Sequence, residues 1–129
     1  MKVAKGAVAC GHPETAAAAV EILEDGGTAF DAVLAAMVAA CVVEPVLASL
    51  AGGGFLVAQP TDGDARLYDF FVDTPRRPAP IDALDFFPVH ADFGTTTQEF
   101  HIGHGSIATP GTVKGFFTIQ KDLGRLPVK

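Results

Sequence analysis

The stretch Thr28–Pro45, TAFDAVLAAMVAACVVEP, carries the clearest structural signal of the 129-residue chain. Thr28 followed three residues later by Asp31 is a capping-box pattern, with aspartate in place of the usual glutamate, and it predicts a helix start. The residues that follow are apolar nearly all round, so we expect a core helix that is covered on most faces. Pro45 ends it, because a proline disfavours the helical conformation of the residue before it. The prediction is a buried helix over residues 28–43.

A second helix is predicted immediately before this one. Pro13 is tolerated at a first helical position, and Glu14 favours the N-terminal end of the helix dipole. Apolar residues then recur at helical spacing until Gly26–Gly27, which is typical of a helix end. We predict a helix over residues 13–25, preceded by a short apolar strand at Val3–Cys10.

Downstream, two apolar segments flank a turn. Phe55–Ala58 and Arg66–Val72 are separated by Pro60–Asp64, PTDGD, which predicts a β-hairpin. The two helices are expected to pack on the sheet that contains this hairpin. The glycines at 52–54 predict a tight connection into the first strand, since the spacing and lysine of a phosphate-binding loop are missing.

The rest of the chain is predicted to form a long loop and a final helix. Residues 73–105 are expected to be a partly ordered loop with one short helix near Asp82–Phe87. A strand at Ser106–Thr109 and a helix at Thr112–Leu123 follow. The expected fold class is α/β (α+β), in one domain over residues 1–129. The residues of the last helix that we expect to point inward are Val113, Phe116, Phe117 and Leu123.

Composition limits the class of protein. Apolar residues make up 49% and charged residues 19%, which favours a folded chain. The net charge of −6 argues against nucleic acid or an anionic membrane as a partner. The longest apolar run, Ala32–Val43, is too short to span a bilayer. No leader pattern opens the chain, so a cytoplasmic location is expected, or a periplasmic one if the N-terminus was trimmed. Cys10 and Cys41 are predicted to be buried free thiols, and no cofactor is expected.

Charged side chains at the end of the second hairpin strand form the candidate binding site. Asp69, Asp73, Arg76 and Arg77 flank this strand end, and loops after strands often present binding groups. Two adjacent arginines could hold a substrate carboxylate bidentately. The alternative interpretation is a solvated loop with local ion pairs.

Two further constellations carry weaker signals. His101 and His104, with His90 and Asp92 upstream, could bind a metal, but a third ligand at a standard spacing is missing. Thr95–Thr97 offer hydroxyls, yet catalytic threonines commonly rely on a free N-terminal amine, which an internal threonine lacks. We therefore assign no metal site and no catalytic residue from these patterns.

The order and spacing of five segments resemble the N-terminal part of the large subunit of γ-glutamyltransferases, also called γ-glutamyltranspeptidases or glutathione hydrolases. The segments are Val8–Gly27, Thr28–Pro45, Ser49–Phe55 (SLAGGGF), Tyr68–Pro75 (YDFFVDTP) and Gly105–Pro127.

This resemblance implies the four-layer αββα fold of N-terminal-nucleophile hydrolases. In the family a precursor cleaves itself, and the new N-terminal threonine takes the γ-glutamyl group of glutathione or a related amide. That threonine lies well beyond the segment matching Pro110–Val113, so Thr95–Thr97 are not its equivalent. We expect an early piece of the large subunit that is inactive alone. Its expected partners are the amide substrate, the remainder of the large subunit, the small subunit and a second copy of the chain.

The candidate site departs from the family pattern D-F-R-E-x-A-P. This chain reads DFFVDTP over Asp69–Pro75, so Phe71 stands where the resemblance implies an arginine that holds the substrate α-carboxylate. A phenyl ring cannot pair with a carboxylate. Either Arg76 or Arg77 replaces the arginine, or the substrate is not an ordinary γ-glutamyl compound. The predicted substrate-binding residues are Phe71, Asp69, Asp73, Arg76 and Arg77.

Two other functions stay open at this point. One is a non-catalytic module derived from the family, which binds a ligand or partner through residues 69–77 and the following loop. The other is a metal-binding module that uses His101 and His104.

Overall fold

The computed structural model describes residues 6–77 and 79–128. They form two compact units, one of residues up to Val72 together with those from Pro110 onward, and one of Asp73–Thr109. The class is α+β, as predicted. The elements are α1 (Pro13–Glu24), α2 (Ala29–Val43), β1 (Phe55–Ala58), β2 (Arg66–Asp69), β3 (Phe87–Asp92), β4 (Thr97–Ile102) and α3 (Thr112–Leu123), with 3₁₀ turns at Ile81–Ala83 and His104–Ser106.

The two predicted N-terminal helices are confirmed to within one residue at each end. The backbone N–H and the hydroxyl of Thr28 both donate to Asp31 Oδ2 at 2.7 Å, and the Asp31 N–H donates back to Thr28 Oγ1 at 3.2 Å. This is the capping box read from the sequence. Helix α1 starts differently, because the His12 ring accepts the N–H of Glu14 at 3.2 Å.

Helices α1 and α2 pack together through small side chains. Ala19, Ala32 and Ala36 are buried at their contact, with Ile22 and Leu23 partly buried beside them. Helix α2 also contacts α3, and α3 contacts β2. The main helix contact of the β1–β2 hairpin is therefore made through α3. The sequence analysis predicts instead that α1 and α2 pack on the sheet that contains this hairpin, and the structure differs from that prediction.

The β1–β2 hairpin is antiparallel, with Phe55 opposite Asp69. Strand β2 ends three residues earlier than predicted. Hydrogen bonds between Gly54 and Phe70 continue the pairing by one residue. The next N–H, that of Phe71, donates to Asp69 Oδ1 at 3.0 Å instead. This local Asx turn takes the backbone out of the ladder.

The structure differs from the predicted loop over residues 73–105. Strands β3 and β4 pair antiparallel there, with His90 opposite Glu99. Gly94, at φ +83°, lies in the connection, where a left-handed backbone suits glycine. The helix expected near Asp82–Phe87 is a single 3₁₀ turn at Ile81–Ala83, because the chain extends into β3 from Phe87 onward.

The predicted strand at Ser106–Thr109 is wrong. Ser106 closes a 3₁₀ turn, and only Thr109 pairs in β fashion, through an isolated bridge to Asp73. The predicted strand at Val3–Cys10 begins outside the described residues, and no strand occurs among residues 6–10. Cys10 is exposed and Cys41 is half-buried, so the prediction of two buried thiols is also wrong.

Helix α3 has the predicted bounds, but its inward face differs. Thr112, Gly115 and Ile119 are its buried residues. Val113 and Phe117, which were expected inside, are 47% and 53% exposed. Within the described part of the chain, no helix is long and apolar enough to cross a membrane.

Candidate functional site

Glycines from two separate segments surround Phe70, next to the candidate site. A Cβ on Gly53 would lie 2.8 Å from the carbonyl oxygen of Phe70. Added Cβ atoms on Gly111 and Gly115 would overlap the backbone and the side chain of Phe70, respectively. Only glycine allows such a close approach. Gly53, Gly111 just before α3 and Gly115 within α3 therefore set the position of the Phe70 backbone, and with it that of Phe71.

The glycine run also anchors the start of α3. The carbonyl oxygen of Gly52 accepts the N–H groups of Gly111 at 2.9 Å and Thr112 at 3.1 Å. These are two of the first amide groups of the helix, which need partners outside it. The interpretation of the run as a tight connection is supported, since its backbone packs against protein atoms.

A cleft of about 350 Å³ lies beside the glycine run, within the first unit. Its walls include Met37, Cys41, Phe55, Phe70 and Thr112. Its size lies within the range of small-molecule pockets, and most of these side chains are apolar. The cleft can therefore accept an apolar group next to the end of the β1–β2 hairpin.

Two of the predicted site residues, Asp69 and Phe71, meet at this hairpin end. Asp69 Oδ1 accepts the Phe71 N–H, which fixes the backbone of Phe71. The Phe71 ring stacks on Phe55, with centroids 5.4 Å apart and planes 10° apart. Both rings are more than half exposed. The surface at the place where the sequence resemblance implies an arginine is thus an aromatic pair.

The other predicted site residues, Asp73, Arg76 and Arg77, belong to the second unit. The backbone of Asp73 exchanges two hydrogen bonds with Thr109, at 3.1 and 2.7 Å, which join the two ends of this unit. Arg76 and Arg77 are exposed in a bend. Their role as replacements for the family arginine stays a prediction.

The histidines expected to bind metal make separate contacts. His104 bonds to Asp85. Nε2 of His90 and of His101 lie 3.4 and 3.8 Å from the Glu99 carboxylate. Among residues 6–77 and 79–128, no group of three His, Cys, Asp or Glu side chains is placed to hold a metal ion. The structure gives the metal-binding alternative no support.

The contact between Asp85 and His104 was missed by the sequence analysis. His104 Nδ1 lies 2.7 Å from Asp85 Oδ2, which also accepts the His104 backbone N–H at 3.1 Å. The backbone N–H and then the imidazole of His104 hold the pKa of Asp85 below its ordinary value. The only sequence signal was the pair of glycines around His104, because Gly103 has a φ of +103°.

Asp31 is a buried carboxylate with a structural role. Its Oδ1 accepts the N–H groups of Arg125 at 2.9 Å and Leu126 at 3.1 Å, while its Oδ2 caps α2 through Thr28. Burial raises the pKa of Asp31, but hydrogen bonds from the side chain and backbone of Thr28 and from both distant amides outweigh it. The pKa of Asp31 is therefore lowered, and the ionised form joins α2 to the segment after α3.

Comparison with known proteins places these features in a family. The family model described as Gamma-glutamyltranspeptidase matches residues 15–129. The chain is 30% identical over 126 residues to the acylase ACY 1 proenzyme of Pseudomonas sp. (strain V22), which covers 96% of this chain and 22% of that protein. It is 32% identical over 105 residues to the glutathione hydrolase proenzyme of Pseudomonas sp. (strain A14), covering 81% of this chain and 17% of that protein.

A solved structure gives the same result. The γ-glutamyltranspeptidase of Helicobacter pylori superimposes with a TM-score of 0.76 and 26% identity, over 98% of this chain and 35% of that chain. The chain thus spans about a fifth of the length of the curated relatives it matches. The matched residues include the capping box of α2, the glycine run and all of α3. The chain belongs to the γ-glutamyltranspeptidase family.

Proposed function

We propose that this chain forms an early part of the large subunit of an N-terminal-nucleophile hydrolase that transfers or hydrolyses the acyl group of an amide. The family match over residues 15–129 is the observation that carries the proposal. In this proposal the nucleophilic threonine is supplied from a later part of the complete protein. The chain binds and positions substrate, and is inactive alone.

Exposed apolar side chains support a larger assembly. Among the described residues, four of the six buried apolar residues are alanine, and the other two are Leu34 and Ile119. Val46 and Leu47 are 95% and 82% exposed, and aromatic residues such as Phe55 are exposed as well. Covering such apolar surface by a partner stabilises the assembly by about 25 cal/mol for each Å² removed from water. We propose the remainder of the large subunit and the small subunit as the partners that cover it.

The stacking of Phe71 on Phe55 supports the proposal that the substrate lacks a free α-carboxylate. A bidentate arginine pair contributes about 1.5–3 kcal/mol, or one to two powers of ten in binding. Phe71 cannot make it, and a carboxylate against two phenyl rings would lose water without gaining a partner. One relative is named an acylase and another a glutathione hydrolase, so family membership leaves the acyl group open.

Two 4-nitroanilides that differ only in the α-carboxylate test this proposal. γ-Glutamyl-4-nitroanilide carries it, and 4-aminobutanoyl-4-nitroanilide lacks it. The complete protein should release 4-nitroaniline with a higher kcat/KM from the second compound, and the 129-residue chain alone should release none above the blank. Release by the pure chain alone would contradict the assignment of the nucleophile to a later segment.

Matched variants of the complete protein separate the two explanations for the missing arginine. Phe71→Arg should raise kcat/KM for the γ-glutamyl compound about 10- to 100-fold relative to the other compound. Arg76→Ala and Arg77→Ala should change it little. If either alanine variant abolishes activity while Phe71→Arg has no effect, an arginine of the loop holds the carboxylate and the substrate proposal is wrong.

A further inference from the structure

A buried hydroxyl without a hydrogen bond lies at the cleft beside the glycine run. Thr112, the first residue of α3, is only 4% exposed, yet its hydroxyl makes no hydrogen bond within residues 6–77 and 79–128. No fully buried polar side-chain atom of the described residues lacks a partner, so Thr112 Oγ1 reaches open space. Thr112 and Gly52 both line the cleft, and a Cβ built on Gly52 would lie 3.9 Å from this oxygen. The cleft therefore offers one hydroxyl to a ligand.

The remainder of the cleft wall selects against charge. Ser49, its other hydroxyl residue, already accepts the N–H of Ala51 at 3.0 Å. Apolar side chains and glycine backbone form most of the wall, and in the described part of the chain no Asp, Glu, Lys, Arg or His lines it. A charged group that entered would lose water without gaining a partner. The cleft thus suits an uncharged, mainly apolar group that carries one hydrogen-bonding atom.

The cleft adjoins the candidate site through two phenylalanines of the same unit. Phe55 lines the cleft, and its ring stacks on the ring of Phe71 with centroids 5.4 Å apart. Phe70 also lines the cleft, and its backbone leads directly into Phe71. A molecule that lies against Phe71 can therefore extend a chain past Phe55 into the cleft.

We propose that this cleft is a substrate subsite of the complete protein and that it takes an uncharged aliphatic chain of the acyl group. The Thr112 hydroxyl donates a hydrogen bond to an acceptor on that chain, such as a ketone oxygen. This inference rests on the proposed function and deepens it, because it names what the acyl group carries in place of a charged end. The volume of about 350 Å³ is at the lower end of the range for small-molecule pockets, which suits a short chain.

Three uncharged 4-nitroanilides test the apolar part of the subsite in the complete protein. Acetyl-4-nitroanilide has no chain to enter the cleft, hexanoyl-4-nitroanilide has an aliphatic chain, and 5-oxohexanoyl-4-nitroanilide has a ketone near the end of that chain. The hexanoyl compound should be cleaved with a kcat/KM at least about tenfold above that of the acetyl compound, because several methylene groups leave water.

The role of Thr112 is tested by the ratio of kcat/KM for the 5-oxohexanoyl compound to that for the hexanoyl compound. Thr112→Val removes the hydroxyl and keeps the shape of the side chain. The ratio should fall about three- to tenfold in this variant, because the ketone loses its donor. Thr118→Val, at an exposed position of the same helix, is the matched control and should leave the ratio unchanged. The same ratio in Thr112→Val as in the wild type would overturn the role given to this hydroxyl.

Alkylation of Cys41 measures occupation of the cleft without any cleavage of substrate. Cys41 is half-buried in the wall, whereas Cys10 is exposed and lies outside it. Heptane-2,6-dione has the chain of the 5-oxohexanoyl group and no amide bond. It should slow the alkylation of Cys41 by iodoacetamide at least about threefold and leave that of Cys10 unchanged, as followed by peptide mass spectrometry.

The outcomes separate this inference from the proposed function. An unprotected Cys41 would overturn the subsite, as would a Cys41 that iodoacetamide cannot reach in the ligand-free complete protein, since a later segment would then fill the cleft. A protein that cleaves 4-aminobutanoyl-4-nitroanilide but gains nothing from the hexanoyl chain would also refute the subsite alone. Cleavage of no anilide at all would contradict the proposed function itself.

Discussion

Replacing Asp31 by alanine should loosen the junction between the start of α2 and the segment after α3. The carboxylate accepts four hydrogen bonds, two from Thr28 and one each from the N–H groups of Arg125 and Leu126, and it is only 7% exposed. Hydrogen bonds to a charged group contribute about 1.5–3 kcal/mol each and are not additive. Water can replace some of these hydrogen bonds in the variant. We therefore expect Asp31→Ala to lower the free energy of opening this junction by about 3 kcal/mol.

Hydrogen exchange in the complete protein measures this cost locally. A loss of about 3 kcal/mol corresponds to roughly 100-fold faster exchange for amides that exchange through opening of this junction. The peptides to follow are those covering residues 28–34 and 124–128. The control is Glu24→Ala, at an exposed position of α1, which should change exchange about twofold or less. A change below about threefold in Asp31→Ala would refute the energetic role given to this carboxylate.

The same carboxylate predicts a dependence on pH. The pKa of Asp31 is lower in the folded chain than its ordinary value. The ionised carboxylate therefore contributes its full stabilisation above about pH 4, and this stabilisation is lost as the pH falls through the folded pKa. The difference in protection between the wild type and Asp31→Ala should therefore shrink below pH 4, after correction for intrinsic exchange rates. An unchanged difference at pH 3 would contradict this assignment.

Two further predictions concern packing. Gly115→Ala should destabilise the protein by about 1–3 kcal/mol, measured by thermal or denaturant unfolding, because the new methyl group overlaps the base of the Phe70 side chain. Exposed Lys121 on the same helix offers the control, and no difference between Gly115→Ala and Lys121→Ala would count against this packing. The 129-residue chain produced by itself should self-associate through its exposed apolar side chains, and light scattering that shows a strict monomer would be the contrary result.

Local signals predicted most of the first unit. The start of α2 followed from Thr28 and Asp31, whose reciprocal hydrogen bonds are a contact between residues three apart, and its end followed from Pro45. The bounds of α1 followed from Pro13 and from Gly26–Gly27. Such contacts depend on neighbouring residues alone, so a sequence pattern is sufficient to find them.

The β3–β4 hairpin carried a signal that was overlooked. Val89 and Ala91 alternate with His90 and Asp92, and Phe100 and Ile102 alternate with more polar neighbours, as strands do. The high content of proline, aspartate and threonine hid this alternation. Pro88, opposite His101, is an unusual residue within such a strand, since a proline cannot donate to a ladder.

Packing and long-range contacts could not be found in the same way. On α3 the sequence suggested that large residues point inward, whereas Gly115 is buried because the side chain of Phe70 lies against it. Asp85 and His104 are 19 residues apart and meet only because a hairpin lies between them. The candidate site likewise depends on the stacking of Phe71 on Phe55, which no sequence spacing predicts.

The most direct test of the central claim is the covalent state of the complete protein after expression. Mass spectrometry and N-terminal sequencing should find two polypeptides, with residues 1–129 in the larger one and an N-terminal threonine on the smaller one. Replacement of that threonine by alanine should leave one uncut chain. A purified, active wild-type protein that remains a single chain, or whose second polypeptide begins with a residue other than threonine, would contradict the assignment of this chain to the large subunit of an N-terminal-nucleophile hydrolase.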